Sequence, residues 1–521
     1  MRKASFSPAA AAVLLALAVS ACGNSGAPGN AGVVGGGSGG SAVGVVPTQP
    51  QNLDRSCDLA PYPSSQWTGC EAANFARTTE APNEQLAAGF QSRWTAQSTA
   101  NLQEWTARAA ADPSWLDPRS GNSATLPLCA TWSLQCTGDP FRYPAFDGPD
   151  GKAFYENEAE VIPVVFYDDG CARLSGRVWA PKGSSAAHKL PAVVIENGSI
   201  QAPETAYWWA AQPLVRAGYV VLTFDPRGQA RSDLQTPTGQ QGGNLNQNVF
   251  VTNLVNAIDF FRSSPSKPYP FNSRCAGTYP TAVADFNPFH DRIDPARLGI
   301  AGHSAGAAGS SIVQGFGAVG AAPWPGQLDT ENPVKSVVAW DALAVGAVIF
   351  NPGYVAVPRV PSLGLTGDYI SLASLLFDPA TGAATLAPFA APPDPESHKQ
   401  PYQTYAAAGV PIYNMTIAGV NHLDFSQVPT FPASSWCTDT SSGVCKGNWG
   451  IGPMQHYTLA WFDRWLKQPG EPGHANADQR LLDDAGPEGS AKLSFRFRSA
   501  RKFPDRSGKV QQCEDIRAGC P

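Results

Sequence analysis

From about residue 160 the chain alternates two rhythms. Short runs rich in β-branched and aromatic residues recur: VIPVVFY (161–167), ARLSGRVWA (172–180), PAVVIENG (191–198), YVVLTFD (219–225), RLGIAG (297–302), VKSVVAWD (334–341), VPSLGLTGD (360–368) and VPIYNMTIAG (410–419). Between them, at 204–217, 245–263, 305–317, 399–408 and 453–467, apolar residues fall at helical spacing. Short apolar runs bounded by turn residues read as buried strands, and their alternation with amphipathic helices predicts an α/β fold: a mostly parallel sheet with helices on both faces. The first two strands are joined through Asp168-Asp169-Gly170, a hairpin signal, so the sheet is expected to open with an antiparallel pair.

The pattern differs outside this region. Residues 75–111 carry apolar and aromatic residues at helical spacing and predict a helical segment closed by Pro113 and Pro118, whereas 119–160, rich in Gly, Pro, Asp and aromatics, read as loop. After residue 470, KLSFRFRSARKF alternates with period two and predicts a strand in a C-terminal appendage. At the other end, Arg2 and Lys3 precede an apolar, alanine-rich stretch from Ala9 to Ala21, too short to span a bilayer and suited to an export signal. It ends Val19-Ser20-Ala21-Cys22-Gly23, which resembles the lipobox of bacterial lipoproteins; the resemblance implies cleavage before Cys22, lipidation of its thiol and an extracytoplasmic protein held to the membrane by that anchor alone. Residues 23–50, mostly Gly, Ala, Ser, Val and Pro, cannot bury enough surface to fold and read as a tether. The expected organisation is therefore a signal (1–22), a tether (23–50), a helical and loop extension (51–159), an α/β domain (160–468) and an appendage (469–521).

The 36 Lys and Arg against 42 Asp and Glu give a net charge of −6, and no basic block stands out, which argues against a nucleic-acid partner. Of the 11 cysteines, setting aside Cys22 leaves an even ten, the arithmetic of disulfides in an oxidising compartment. Four pairs are close in sequence, Cys57–Cys70, Cys129–Cys136, Cys437–Cys445 and Cys513–Cys520, and Cys171 and Cys275 remain. Sequence alone does not fix this pairing. There is no C-x-x-C and no histidine at ligand spacing near these cysteines, so no metal site is expected.

A G-x-S-x-G occurs twice, around Ser38 and around Ser304, in a chain with 51 glycines. Ser38 lies in the tether with no strand before it and no helix after it. Ser304 follows the short strand Leu298-Gly299-Ile300-Ala301 and precedes a small-residue helix start, which is the strand–turn–helix context of a nucleophile elbow. A hydroxyl nucleophile needs a base, and the base needs an orienting acid; around such an elbow they follow in chain order serine, acid, histidine. His188 and His290 precede the elbow, His303 lies inside it, His398 sits in a Pro/Asp-rich loop, His456 in a predicted helix and His474 in the tail. His422, in GVNHLDF just past the strand 410–419, is the expected base. Asp368, at the end of VPSLGLTGD, is the favoured acid, with Asp341, at the end of VKSVVAWD, as the alternative; Asp424 is too near His422. The backbone N–H groups of Ser199, after the third strand, and Ala305 are the expected oxyanion donors. Tyr207, Trp208 and Trp209 are expected to pack a helix onto the sheet rather than line a groove, and the charges of DPRGQARSD (225–233) to fix a loop.

From about 160 to 468 the chain resembles bacterial α/β-hydrolases near the dienelactone hydrolase, cutinase and polyester-hydrolase branch. The resemblance is carried by VVIENGSIQAPETAYWWAAQPLVRAGYVVLTFDPRGQARSD, GIAGHSAGA, PSLGLTGDY and GVNHLDF. It implies the α/β-hydrolase fold and cofactor-independent hydrolysis of a carboxylic ester, small or polymeric, by Ser304, His422 and Asp368, with Ser199 lending its N–H. Two features depart from that branch. Dienelactone hydrolases use a cysteine nucleophile, and the long stretch from Asp368 to His422 begins with YISLASLLFDPATGAATLAPFAAPPDPES, which reads as an insertion near the site. The alternatives are amide or peptide hydrolysis on the same residues, and a surface lipoprotein that keeps the fold as a non-catalytic scaffold.

Overall fold

A computed structural model describes residues 53–78, 103, 106–117, 154–199, 203–369, 391–426 and 449–520. Cys22, Ser38, Cys129, Cys136, Cys437, Cys445 and most of the insertion lie outside the described residues.

The strands run β1 (Ala159–Tyr167), β2 (Arg173–Pro181), β3 (Leu190–Glu196), β4 (Val220–Asp225), β5 (Ile293–His303), β6 (Val334–Trp340), β7 (Gly346–Ala347), β8 (Val355–Ala356), β9 (Ser362–Tyr369), β10 (Ile412–Asn421), β11 (Ala500–Pro504) and β12 (Val510–Cys513). All but β7 and β8 join one sheet in the order β1-β2-β4-β3-β5-β6-β9-β10-β11-β12. β4, β3, β5, β6, β9 and β10 are parallel, while β1, β2, β11 and β12 run antiparallel to their neighbours. The expected α/β architecture is the one the chain adopts.

The central strands are buried on both faces, as their unbroken apolar runs require. Helices α2 (Trp208–Arg216) and α7 (Ile451–Leu466) cover one face, where Trp209, Trp340, Met454 and Trp461 share a core. Helices α3 (Val249–Arg262) and α5 (Ala305–Gly315) cover the other with Phe260, Ile312 and Val313. The β1–β2 hairpin is closed by Asp168, whose Oδ1 accepts from the N–H of Gly170 and Ala172 at 2.8 Å each, and Arg227 pairs with the same carboxyl. The disulfide Cys171–Cys275 ties this turn to the short helix α4 (Pro270–Arg274). Cys57–Cys70 and Cys513–Cys520 are also bonded.

Two flanking expectations need correction. The N-terminal helix α1, Ser65–Arg77, begins ten residues before the predicted segment, because Ser64 caps it by accepting the N–H of Trp67 at 3.1 Å, while residues 103 and 106–111 of that segment are helical as expected and stop before Pro113. The predicted C-terminal strand is shifted: β11 begins only at Ala500, after a 3-10 turn over Ser490–Lys492, and with β12 it extends the main sheet beyond β10. These flanks meet. Trp67 packs edge-on against Phe495, Arg496 pairs with Glu71 at 2.9 Å, and Arg517 pairs with Asp58 at 2.8 Å. Two further short helices are α6 (Gln400–Ala407) before β10 and α8 (Ala477–Leu482) after α7.

Candidate active site

Ser304 sits between the last residue of β5 and the first of α5, at φ +56° and ψ −116°, a conformation that non-glycine residues adopt rarely. The flanking glycines permit the turn by close approach. A Cβ on Gly302 would lie 2.2 Å from the carbonyl oxygen of Gly306, and one on Gly306 would lie 2.5 Å from that of Asn197. The turn is anchored by the Ser304 N–H, which donates to Trp340 O at 3.0 Å.

His422 follows β10 directly and opens a 3-10 turn, His422–Ser426. Asp424 shapes that turn by accepting the N–H of Asn421 at 2.8 Å, and Asn421 Oδ1 accepts that of Leu423 at 2.8 Å. The imidazole bridges two oxygens. Its Nε2 lies 3.0 Å from Ser304 Oγ, and its Nδ1 lies 2.6 Å from Asp341 Oδ2. The carboxylate only accepts, so Nδ1 carries the proton and Nε2 is left to accept from the hydroxyl. Asp341 follows β6 at φ +44°; its N–H donates to Leu365 O at 2.7 Å, and its Oδ1 accepts the N–H of Gly367 at 3.2 Å.

The favoured acid is therefore corrected: Asp341, the alternative, touches the imidazole, and Asp368 does not. Asp368 Oδ2 instead accepts from Asn74 Nδ2 of α1 at 2.7 Å and from the N–H of Gly419 at 2.9 Å, and the residue is 5% exposed. Asp368 also lies inside β9, one residue before its end, and its carboxyl is taken up by α1 and β10 rather than by the loop above the strand tips.

Ala305 occupies the first position of α5, where an N–H has no intrahelical acceptor, and Phe250 of α3 packs beside it. Ser199 lies in the loop after β3, next to Gly198, whose N–H is taken by Tyr207 Oη at 2.8 Å. Asp225, at the end of β4, braces that loop: its Oδ1 accepts from Asn197 Nδ2 at 2.9 Å and from the N–H of Glu204 at 2.7 Å. Burial pushes the Asp225 carboxyl up to about 7, with the charge of Glu204 adding to the effect. Glu204 is itself buried and paired with Arg177.

The aromatic triplet packs inward. Trp209 lies against Trp340 with ring centres 4.9 Å apart and donates to Phe425 O at 2.9 Å, and Trp208 Nε1 donates to Glu204 Oε2 at 2.8 Å. Tyr207 has a polar partner that its sequence position does not announce: its hydroxyl lies 2.8 Å from His303 Nδ1, and His303 Nε2 lies 3.0 Å from the carbonyl oxygen of His422. The one sequence signal for this contact is a histidine inside the elbow. The 225–233 loop is held by ion pairs, among them Arg173–Asp233 at 3.0 Å. Among the described residues no group of three or more His, Cys, Asp or Glu is arranged to hold a metal, and no helix is long and apolar enough to cross a membrane.

The strand order, with an antiparallel β2 and a serine elbow after β5, defines an α/β-hydrolase fold. Compared with solved structures, the chain is similar over part of its length to two. One is the α/β-hydrolase GrgF from Penicillium sp. sh18, at 16% identity and a TM-score of 0.22 over 35% of this chain and 46% of that one. The other is a hypothetical protein from Pseudomonas aeruginosa, at 18% identity and a TM-score of 0.24 over 50% of this chain and 57% of that one. Each match thus spans about half of the compared structure's own length. No family model and no curated protein matches the chain.

Proposed function

We propose that the chain is a serine hydrolase that cleaves carboxylic esters, with Ser304 as nucleophile, His422 as base and Asp341 as the orienting acid. The observation that carries this reading is the continuous hydrogen-bonded line from Ser304 Oγ through the imidazole to Asp341, at 3.0 and 2.6 Å, with the serine held in a strained turn. Ser304 Oγ attacks the ester carbonyl as its proton passes to His422 Nε2. The oxyanion that forms is met by the N–H groups of Ala305 and Ser199, the former reinforced by the N-terminal dipole of α5. His422 then returns the proton to the departing alcohol, and water, activated by the same imidazole, releases the acid from the acyl-enzyme. No metal or organic cofactor enters these steps. Export and lipid anchoring through Cys22 belong to the same proposal and are supported by the order of charged, apolar and small residues before that cysteine.

The test uses the chain from residue 23 onward, so that no lipid anchor is present. Hydrolysis of p-nitrophenyl esters from acetate to palmitate, with matching anilides alongside, is followed for wild type and Ser304→Ala. We expect ester turnover to fall about a millionfold in the variant. Faster cleavage of anilides than of the matching esters would replace ester by amide hydrolysis. A folded wild type that neither turns over esters nor reacts with a fluorophosphonate would favour the scaffold.

A further inference from the structure

We propose that Tyr207 and His303 are positioning residues that lock the oxyanion loop and the base onto one frame, through the buried line Gly198 N–H, Tyr207 Oη, His303 imidazole and His422 carbonyl. This rests on the reading of Ser304 as the nucleophile.

The two ends of the line have fixed roles. The Gly198 N–H can only donate, and it meets Tyr207 Oη at 2.8 Å. The His422 carbonyl can only accept, so His303 Nε2, 3.0 Å away, carries a proton. With the buried imidazole neutral, Nδ1 is unprotonated and takes the proton of Tyr207 at 2.8 Å. Every donor in the line then has one acceptor. Burial, with the neighbouring His422 as a lesser cause, holds the His303 imidazole well below the usual histidine range, which agrees with that neutral form. The fit is close: a Cβ on Gly198 would lie 2.9 Å from His303 Nδ1 and 3.1 Å from Tyr207 Oη, so nothing larger than glycine passes beneath the line.

What the line joins gives it its role. Gly198 precedes Ser199, the proposed oxyanion donor. His422 is the proposed base, and its ring centre lies 4.6 Å from that of His303. His303 itself immediately precedes Ser304. Two side chains thus connect the loop after β3, the turn after β5 and the turn after β10. Displacing such groups by about 1 Å is enough to lower turnover about a hundredfold, without contact between the displaced residue and the substrate.

Tyr207→Phe removes the hydroxyl and leaves the Gly198 N–H and His303 Nδ1 without their partner, while the aromatic ring stays. We expect kcat on the best p-nitrophenyl ester, and the second-order rate of fluorophosphonate labelling, to fall about ten- to a hundredfold, with KM little changed. His303→Leu, which breaks both bonds, should lose at least as much. His303→Gln, which keeps an N–H to offer the His422 carbonyl, should recover part of it. The decisive reading is the double variant: members of one line are not additive, so Tyr207→Phe with His303→Leu should be no slower than His303→Leu alone. Thermal midpoints measured beside the kinetics separate positioning from unfolding, and should Tyr207→Phe fail to fold, the His303→Gln and His303→Leu pair carries the same test. Wild-type rates in Tyr207→Phe, or losses that multiply in the double variant, would overturn the proposal while leaving the nucleophile assignment intact. Unchanged labelling in Ser304→Ala would overturn the nucleophile assignment itself.

Discussion

Asp341 and Asp368 occupy comparable places and lead different lives. Each stands at the carboxyl end of a parallel strand, β6 and β9, and these strands are neighbours in the sheet. Asp341 lies just beyond its strand, in a positive-φ turn, and its carboxylate meets His422. Asp368 lies within its strand, and its carboxylate is covered by Asn74 from α1 and by Gly419 from β10. The difference is made by what packs on each strand end. Over β6 the imidazole itself arrives, whereas over β9 a helix from far earlier in the chain takes the place. A carboxylate at a strand end is chemically available only where no structural donor has already claimed it.

The largest effect that tests this contrast is Asp341→Asn. An amide there offers the imidazole the wrong hydrogen-bonding face, and turnover is expected to fall about ten-thousandfold. Asp368→Ala should leave kcat close to wild type. It should instead destabilise the protein by about 1–3 kcal/mol, because the buried Gly419 N–H loses its acceptor and Asn74 Nδ2 keeps only Tyr369 Oη. Kinetics and denaturant unfolding of both variants side by side decide the matter, and equal losses of turnover would erase the distinction between the two aspartates.

A second probe reaches Asp368 through its cover. The Cys57–Cys70 bridge closes a 13-residue separation at the start of α1. Replacing both cysteines by serine should lower stability by about 3 kcal/mol and loosen α1 from Asp368, with turnover per folded molecule retained. Calorimetry together with active-site titration checks both parts.

The smallest effect concerns a third strand-end carboxylate, Asp225. Its folded-state value, pushed up to about 7, lies above the ordinary aspartate value of about 4. In that window the native state holds a proton the unfolded chain has released. Its contribution to stability is therefore present at low pH and lost as pH rises through the window, by at most about 1.4 kcal/mol per pH unit. Unfolding measured across this range should show a shallower fall for Asp225→Asn than for wild type.

The strands are legible because a short apolar run between turn residues suits a strand buried on both faces; β4 is read as 219–225 and found at Val220–Asp225. Ser304 is legible because Gly302 and Gly306 mark a turn that tolerates no side chain, and His422 because it follows the strand that brings it there. The acid is not, since VKSVVAWD and VPSLGLTGD both end in aspartate, and the donor that removes Asp368 lies 294 residues away on Asn74. Tyr207 reads only as packing because its polar partner His303 is 96 residues distant. The start of α1 escapes the periodicity although Ser64 offers a capping residue. Local pattern announces elements; claims on a side chain from distant parts of the chain leave no local trace.

The two rims of the sheet carry a consequence of their own. β1 ends the sheet on one side with Pro163 exposed and Glu160 three residues before it, features that discourage another strand from docking. On the other side the final strand is the four-residue β12, with Val510 and Gln512 outward. Inside it lie β11 and then β10, ten residues long and buried throughout. Clipping the chain after residue 499 would strip β11 and β12 away and lay bare the margin of the strand that delivers His422. Such a margin is a ready template for a second molecule. In the intact chain β11 and β12 cover that margin.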